Sequence, residues 1–191
     1  IDQLHRLSPD EGVARVDADT TMSPGTWEAA LRGVGGACRA VDEVLTKKVN
    51  NAFSASRPPG HHAEKDRAMG FCFFNNAAVA ARYAQEKYGI DRVAIIDFDV
   101  HHGNGTQGIF YHRRDVLTVS IHADPARFYP FFWGHAGERG EGEGMGYNFN
   151  LPLPRGTGDT DYLATLDLAL SRIRAFGADV LVVALGLDAH E

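Results

Sequence analysis

Three short stretches of this chain carry the side chains that do chemistry. Tandem histidines, His61 and His62, follow Arg57-Pro58-Pro59-Gly60. An apolar run from Val93 to Ile96 opens into Asp97-Phe98-Asp99-Val100-His101-His102, and another, Val180 to Leu185, ends in Gly186-Leu187-Asp188. Side chains of an extended segment alternate in direction, so Asp97, Asp99 and His101 share one side if the strand geometry continues. Ionised carboxylates without partners at the end of a buried strand are costly, and a divalent cation removes that penalty. With Asp188 from a neighbouring strand the ligand set is two carboxylates and one imidazole, which leaves a position for water, as a catalytic metal requires. A structural zinc site would be closed and rich in thiolates instead. Two imidazoles beside a metal-bound water supply a base and an acid that titrate near the working pH. An isolated Asp-x-His reads equally well as two capping carboxylates beside a loop histidine. The doublet tips the balance, because its proline-rich loop has no apolar periodicity to bury a pair of core histidines.

These residues need elements to hold them. Ser23-Pro24 offers an N-cap and a first-turn proline, and Trp27, Leu31, Val34, Cys38, Val41 and Leu45 recur at helical spacing, which predicts an amphipathic helix over about residues 24–48. Ala52 to Ala55 is expected to be a strand that stops in the rigid Pro-Pro-Gly loop. Asn75 or Asn76 caps an alanine-rich helix running to about Tyr88. Val93 to Ile96 is an unbroken apolar run, the pattern of a strand buried on both faces of a parallel sheet, and Val116 to Ile121 is another β-branched run that ends at His122. Asp124 to Gly146, rich in glycine and aromatic residues, is expected to be a long surface loop. A short strand near Tyr147 to Leu151 follows, then a helix over 159–176 marked by Tyr162, Leu166, Leu170 and Ile173, then a last buried strand, Val180 to Leu185. The first 20 residues show no clear period, and there is no internal repeat. Alternating helices and buried strands argue for an α/β domain with a mainly parallel sheet flanked by helices. Ligands bind such sheets beyond the carboxyl ends of the strands, where three of the expected strands deliver their polar residues.

Composition bounds the function. The 191 residues are 44% hydrophobic and 23% charged, which excludes disordered, collagen-like and low-complexity classes. Cys38 and Cys72 make neither a disulfide framework nor a pair of metal-ligand cysteines, so a reducing, cytoplasmic setting is expected. No stretch reaches the roughly 20 apolar residues of a spanning helix, and no secretory signal opens the chain. With 19 Lys+Arg against 25 Asp+Glu the formal charge is −6, which disfavours nucleic acid and mildly favours cationic partners. The chain opens at Ile1 without methionine and stops soon after an apolar run, so residues 1–191 are expected to be a single partial catalytic domain, truncated at both ends.

Arg57 to Ala63, Gly70-Phe71-Cys72-Phe73-Phe74-Asn75-Asn76, Asp97 to Thr106 and Gly186-Leu187-Asp188 together resemble the ordered motifs of the zinc-dependent histone deacetylase superfamily, over nearly the whole chain from about residue 20. Asp124-Pro125 with Tyr129-Pro130-Phe131-Phe132-Trp133-Gly134-His135 is similar to the bacterial acetylpolyamine amidohydrolases and their deacetylase-like relatives. The resemblance implies an arginase-like α/β fold, with Zn2+ bound by Asp99, His101 and Asp188. It makes His61 the general base, His62 the general acid and Asp97 the carboxylate that orients His61. Asn104 stands where some members carry an aspartate, and an amide there leaves His62 less strongly held as a cation. Gly70 would offer its carbonyl to the substrate, and Phe71 with Tyr129 would wall a narrow tunnel. K+ is implied beside the zinc loop, held by Asp97, the carbonyls of Asp99 and His101, Ser120 and Ile121. The family's oxyanion tyrosine lies far downstream of its last zinc ligand, whereas this chain ends three residues after Asp188, and none of Tyr83, Tyr88, Tyr111, Tyr147 or Tyr162 stands in the matching context. Losing one oxyanion donor lowers the rate about a hundredfold or more, so the fragment alone is expected to be a poor catalyst.

The expected activity is metal-dependent removal of acetate from an acetylated primary amine, with a cationic acetylpolyamine ahead of acetyl-lysine. Glu138, Glu141 and Glu143 read as a solvated loop or as a negative rim that attracts a polyamine. A homodimer of the full-length protein is left open, and no membrane partner is expected. One rival is an arginase-like hydrolase with two manganese ions, which needs further aspartates. The other is a weakly catalytic module that binds acetylated ligands, a description that suits a fragment without the tyrosine.

Overall fold

The computed structural model describes residues 1–189. In chain order the elements are α1 (Asp2–Leu7), β1 (Ala14–Arg15), β2 (Thr21–Met22), α2 (Thr26–Leu45), α3 (Asn76–Tyr88), β3 (Val93–Asp97), α4 (Asn104–Phe110), β4 (Val116–Ala123), β5 (Asn148–Leu153), α5 (Asp159–Phe176) and β6 (Val180–Ala184). The last four strands form a parallel sheet in the order β5-β4-β3-β6. β3, an unbroken apolar run up to Asp97, is buried throughout, and β4 is buried in all but its final residue although it carries Thr118, Ser120 and His122. Their alternating side chains feed two cores. Ala94, Ile96, Leu117, Val119 and Ile121 meet Ala169, Ile173 and Phe176 of α5 on one face, while Val93, Ile95 and Val116 meet Ala78 and Ala81 of α3 and Phe110 of α4 on the other. The alanines of α3 also let α2 approach through Ala37 and Val41. Each fully buried valine or isoleucine contributes roughly 1.5–3 kcal/mol, so β3 and β4 anchor the site that hangs from their carboxyl ends.

Asn75 caps α3 as its residue type predicts, accepting from Ala78 N at 3.0 Å. Ser23 does not cap α2; Gly25, at φ 83°, is the N-cap, and the Thr26 hydroxyl accepts from Ser23 N instead. The expected strand at Ala52–Ala55 does not form. These residues are exposed and without secondary structure, since no sheet edge lies beside them among the described residues. Among the described residues β6 has a partner strand on one side alone, β3, and Leu181, Val183 and the following Leu185 are 45–48% exposed where a buried strand was expected. In register with Ala94 and Ile96, Leu181 and Val183 lie on the α5 face, but α5 packs over β3, β4 and β5. α4 had no apolar period to betray it, because only Phe110 of its buried side chains joins the core while Asn104, Thr106 and Gln107 are polar.

Candidate metal and proton-transfer site

Register places the chemistry. Asp97, the last residue of β3, lies opposite Ser120 of β4 and Ala184 of β6, so the segments that continue these strands leave the sheet side by side. Asp99 and Asp188 therefore approach from adjacent strand ends. A Cβ on Gly186 would overlap the Asp99 side chain, so only glycine allows this approach. His101 Nδ1 lies 2.9 Å from Asp99 Oδ1 and 3.2 Å from Asp188 Oδ2, and one ligand atom from each residue falls within 4.8 Å of the others. Backbone amides aim the carboxylates: His101 N donates to Asp99 Oδ1 and Val100 N to Asp188 Oδ1. Two carboxylates converging on one imidazole are a donor set suited to a divalent cation.

The histidine doublet stands beside this triplet. Gly105 N and Thr106 N of α4 hold the His61 carbonyl, and the two imidazole rings lie 4.0 Å apart. Each has its own partner: His61 Nδ1 sits 2.8 Å from Asp97 Oδ2, and His62 Nδ1 sits 2.7 Å from Asn104 Oδ1. The partners decide the charges. Burial pulls the His61 pKa down, but the carboxylates around it, Asp97 foremost and then Asp99 and Asp188, together outweigh it and raise the value to about 9. His62, with burial and the neighbouring His61 and His101 against its charged form and only the Asn104 amide and the more distant Asp99 charge in favour, is lowered to about 3. In the metal-free chain this order favours the proton on His61 and leaves His62 neutral. A bound dication opposes the pull of the carboxylates on His61. The Asp99 carboxyl is raised by burial but held below its ordinary value by the hydrogen bond from His101 and the charge of His61, and His101 is raised by that bond to Asp99.

The mouth of the site is built from loops. Gly70 and Phe71 have φ of 58° and 64°, and a Cβ on Gly70 would overlap the His62 ring. The turn is held from outside by Asp19 Oδ1, which accepts from Gly70 N, and by the Thr20 hydroxyl, which accepts from Phe71 N and donates to Asp19. The Gly70 carbonyl accepts from Cys72 Sγ. Cys72 is buried, which pushes its thiol up to about 12 and makes it a packing residue. Phe71 is 63% exposed, Tyr129 stacks edge-on over His62 at 5.0 Å, and Phe128 lies 5.1 Å from His101. A groove of about 700 Å³ lies elsewhere, between α1, residues 64–68 and α3, and includes none of the metal triplet.

Sequence reasoning missed several supporting residues. Glu138 is no solvated rim charge: its carboxylate accepts from Gln107 Nε2, Gly134 N and Asn150 Nδ2. It ties the aromatic loop to a buried polar layer in which His102 meets Gln107 and His122 meets Ser120 and the Gly134 carbonyl. Glu141 and Glu143 remain exposed. Glu64, which accepts from Asn104 Nδ2 at 2.9 Å, was also unread; the signal was available, because a buried asparagine amide must find an acceptor.

The family model described as the histone deacetylase domain matches residues 1–191. The chain is 49% identical over 174 residues to the acetylpolyamine amidohydrolase of Mycoplana ramosa, covering 91% of this chain and 50% of that protein. It is 48% identical over 176 residues to a probable deacetylase of Methanothermobacter thermautotrophicus, covering 92% and 52%. The crystal structure of acetylpolyamine aminohydrolase from Burkholderia pseudomallei superposes with a TM-score of 0.87 at 46% identity, covering 91% of this chain and 50% of that one. The chain thus spans about half the length of the curated relatives it matches.

Proposed function

The chain belongs to the histone deacetylase domain family, and from that premise we propose that its parent protein is a zinc-dependent amidohydrolase that removes acetyl groups from acetylated primary amines, acetylpolyamines ahead of acetyl-lysine. The observation that carries the reading is the convergence of Asp99, His101 and Asp188 beside two imidazoles of opposite charge preference. Relatives named acetylpolyamine amidohydrolase support the substrate class. The two cysteines are unpaired, in keeping with a cytoplasmic setting.

Zinc held by this triplet supplies Lewis acidity to the acetyl carbonyl and to the attacking water. The chain's own groups handle the protons. Neutral His62 accepts the proton of the water, and His61, kept cationic by Asp97, stabilises the developing negative charge. His62 then passes its proton to the departing amine. Gly70 and Phe71, fixed by Asp19 and Thr20, line the substrate's approach together with Tyr129. The oxygen donors implied for K+ suit a hard cation: Asp97 and Ser120 are register neighbours, Ile121 follows, and the Asp99 and His101 carbonyls accept no hydrogen bond among the described residues. One group of three ligands, among the described residues, supports a single catalytic metal over the two-manganese alternative.

The test is acetate release by the full-length protein from an acetylated polyamine and from an acetyl-lysine peptide, before and after chelation and after zinc is restored. Hydrolysis lost on chelation and regained with zinc supports the reading. Undiminished hydrolysis in the stripped protein, or none of either substrate in the zinc-loaded one, overturns it.

A further inference from the structure

Among the described residues His62 reaches no carboxylate directly, yet one stands a single residue behind its partner. His62 Nδ1 lies 2.7 Å from Asn104 Oδ1, and Asn104 Nδ2 donates to Glu64 Oε1 at 2.9 Å. We propose that Glu64, acting through the Asn104 amide, fixes His62 as the tautomer protonated on Nδ1 and so leaves the lone pair of Nε2 for the reacting centre. Glu64 is then a positioning residue for the proton transfer; the reaction it serves rests on the deacetylase reading above, whereas the tautomer does not.

The argument follows donors and acceptors along the relay. An ionised carboxylate only accepts, so the Asn104 atom that faces Glu64 must be its NH2 group. The amide is planar, and its oxygen is thereby turned to His62. An amide oxygen also only accepts, so His62 Nδ1 must carry the hydrogen. The other contacts of Asn104 Nδ2, to the His62 carbonyl and to Met69 Sδ, are both 3.4 Å long, so the shorter bond to Glu64 sets the orientation. Asn104 is fully buried, with 0% exposure, and no bulk water competes for it. Turned over, the amide would point oxygen at carboxylate and leave its buried NH2 without that acceptor. The turn makes the relay local: Glu64 N donates to the Arg67 carbonyl at 2.8 Å, fixing its backbone two residues after His62.

The relay also explains why an amide intervenes. A carboxylate directly on each histidine would favour two imidazolium rings whose centroids are 4.0 Å apart, an arrangement like charges oppose. With Glu64 one group away, the orientation of His62 is controlled while the charge of the pair stays on His61.

The test uses the full-length protein with 15N-labelled histidine, in which long-range 1H–15N correlation reports the protonated ring nitrogen without any turnover. Wild type should show His62 protonated on Nδ1. Glu64→Leu, and in parallel Glu64→Ala should the leucine variant not fold, should shift His62 toward the Nε2 tautomer. Turnover of an acetylated amine should fall about tenfold or more in kcat with KM little changed, the mark of an interaction needed beyond binding. Adding Asn104→Asp to either variant should restore the hydrogen on Nδ1, on a neutral or a doubly protonated ring, because aspartate accepts from His62 without help; loss of packing alone would not be rescued in this way. An unchanged tautomer in folded Glu64 variants, or failure of Asn104→Asp to restore the hydrogen on Nδ1, overturns the proposal. A tautomer that responds as described in a protein that hydrolyses no acetylated amine upholds the relay and removes the deacetylase reading.

Discussion

Replacing Asp97 with asparagine tests the electrostatics of the histidine pair where they are largest. In the metal-free protein the Asp97 carboxylate, with lesser contributions from Asp99 and Asp188, raises His61 from 6.5 to about 9 against the pull of burial. At about 1.4 kcal/mol per pKa unit, the folded state holds that proton more tightly than the unfolded state by roughly 3 kcal/mol. A raised histidine pKa stabilises the fold fully below 6.5 and loses its contribution as the pH climbs through about 9. His62 acts with the opposite sign: its pKa is depressed to about 3, so its contribution is present above 6.5 and is lost as the pH falls toward 3. From this pair alone, metal-free stability peaks near pH 6.5, and the alkaline limb belongs to His61. The assay is urea unfolding of the metal-free full-length protein and of its Asp97→Asn variant at pH 6.5 and pH 9. Wild type should lose roughly 3 kcal/mol between the two conditions, while the variant should start less stable and lose little more. An equal alkaline loss in both proteins would show that Asp97 is not the source of the effect.

Three further outcomes are expected. Asp188→Ala in the full-length protein should leave zinc well below one equivalent by elemental analysis and lower kcat/KM a hundredfold or more; full metal occupancy in that variant would detach Asp188 from the site. Glu138→Leu should destabilise the fold by about 2 kcal/mol or more, because it strands the donors of Gln107, Gly134 and Asn150, and should open residues 124–146 to limited proteolysis; Glu138→Gln, which keeps an acceptor oxygen, should do so less. If the exposed Glu141 and Glu143 steer a cationic substrate, Glu141→Gln/Glu143→Gln should narrow the preference for an acetylated polyamine over a neutral acetylated amine at low salt, as added salt does in wild type; an unchanged preference counts against steering by these two charges.

The metal triplet, the histidine pair and the parallel sheet were legible in the residues because each rests on a local rule. Asp99 and His101 stand two residues apart straight after an apolar run, although the strand whose alternation suggested a shared side ends at Asp97 and a bend closed by His101 N on Asp99 Oδ1 brings them together; an unbroken apolar run announces a strand covered on both faces, and proline and glycine forbid regular structure around His61 and His62. Asn75 was legible as a cap for the same reason, its bond to Ala78 N spanning three residues. What escaped depends on partners distant in sequence. Ala52–Ala55 has strand-like composition, but strand formation is settled by a neighbouring edge, which the described residues do not place there. α4 hid because most of its buried side chains are polar, and these are stable only against Asn75, His62, Glu64 and the layer around Gln107. Glu138 looked like one of three loop acids until folding brought Gln107 and Asn150 to it. The charges of His61 and His62 were beyond any local rule. Two adjacent, identical side chains differ because the tertiary fold sets a carboxylate from β3 against one and an amide from α4 against the other, and in a buried site that single exchange decides which ring carries the proton.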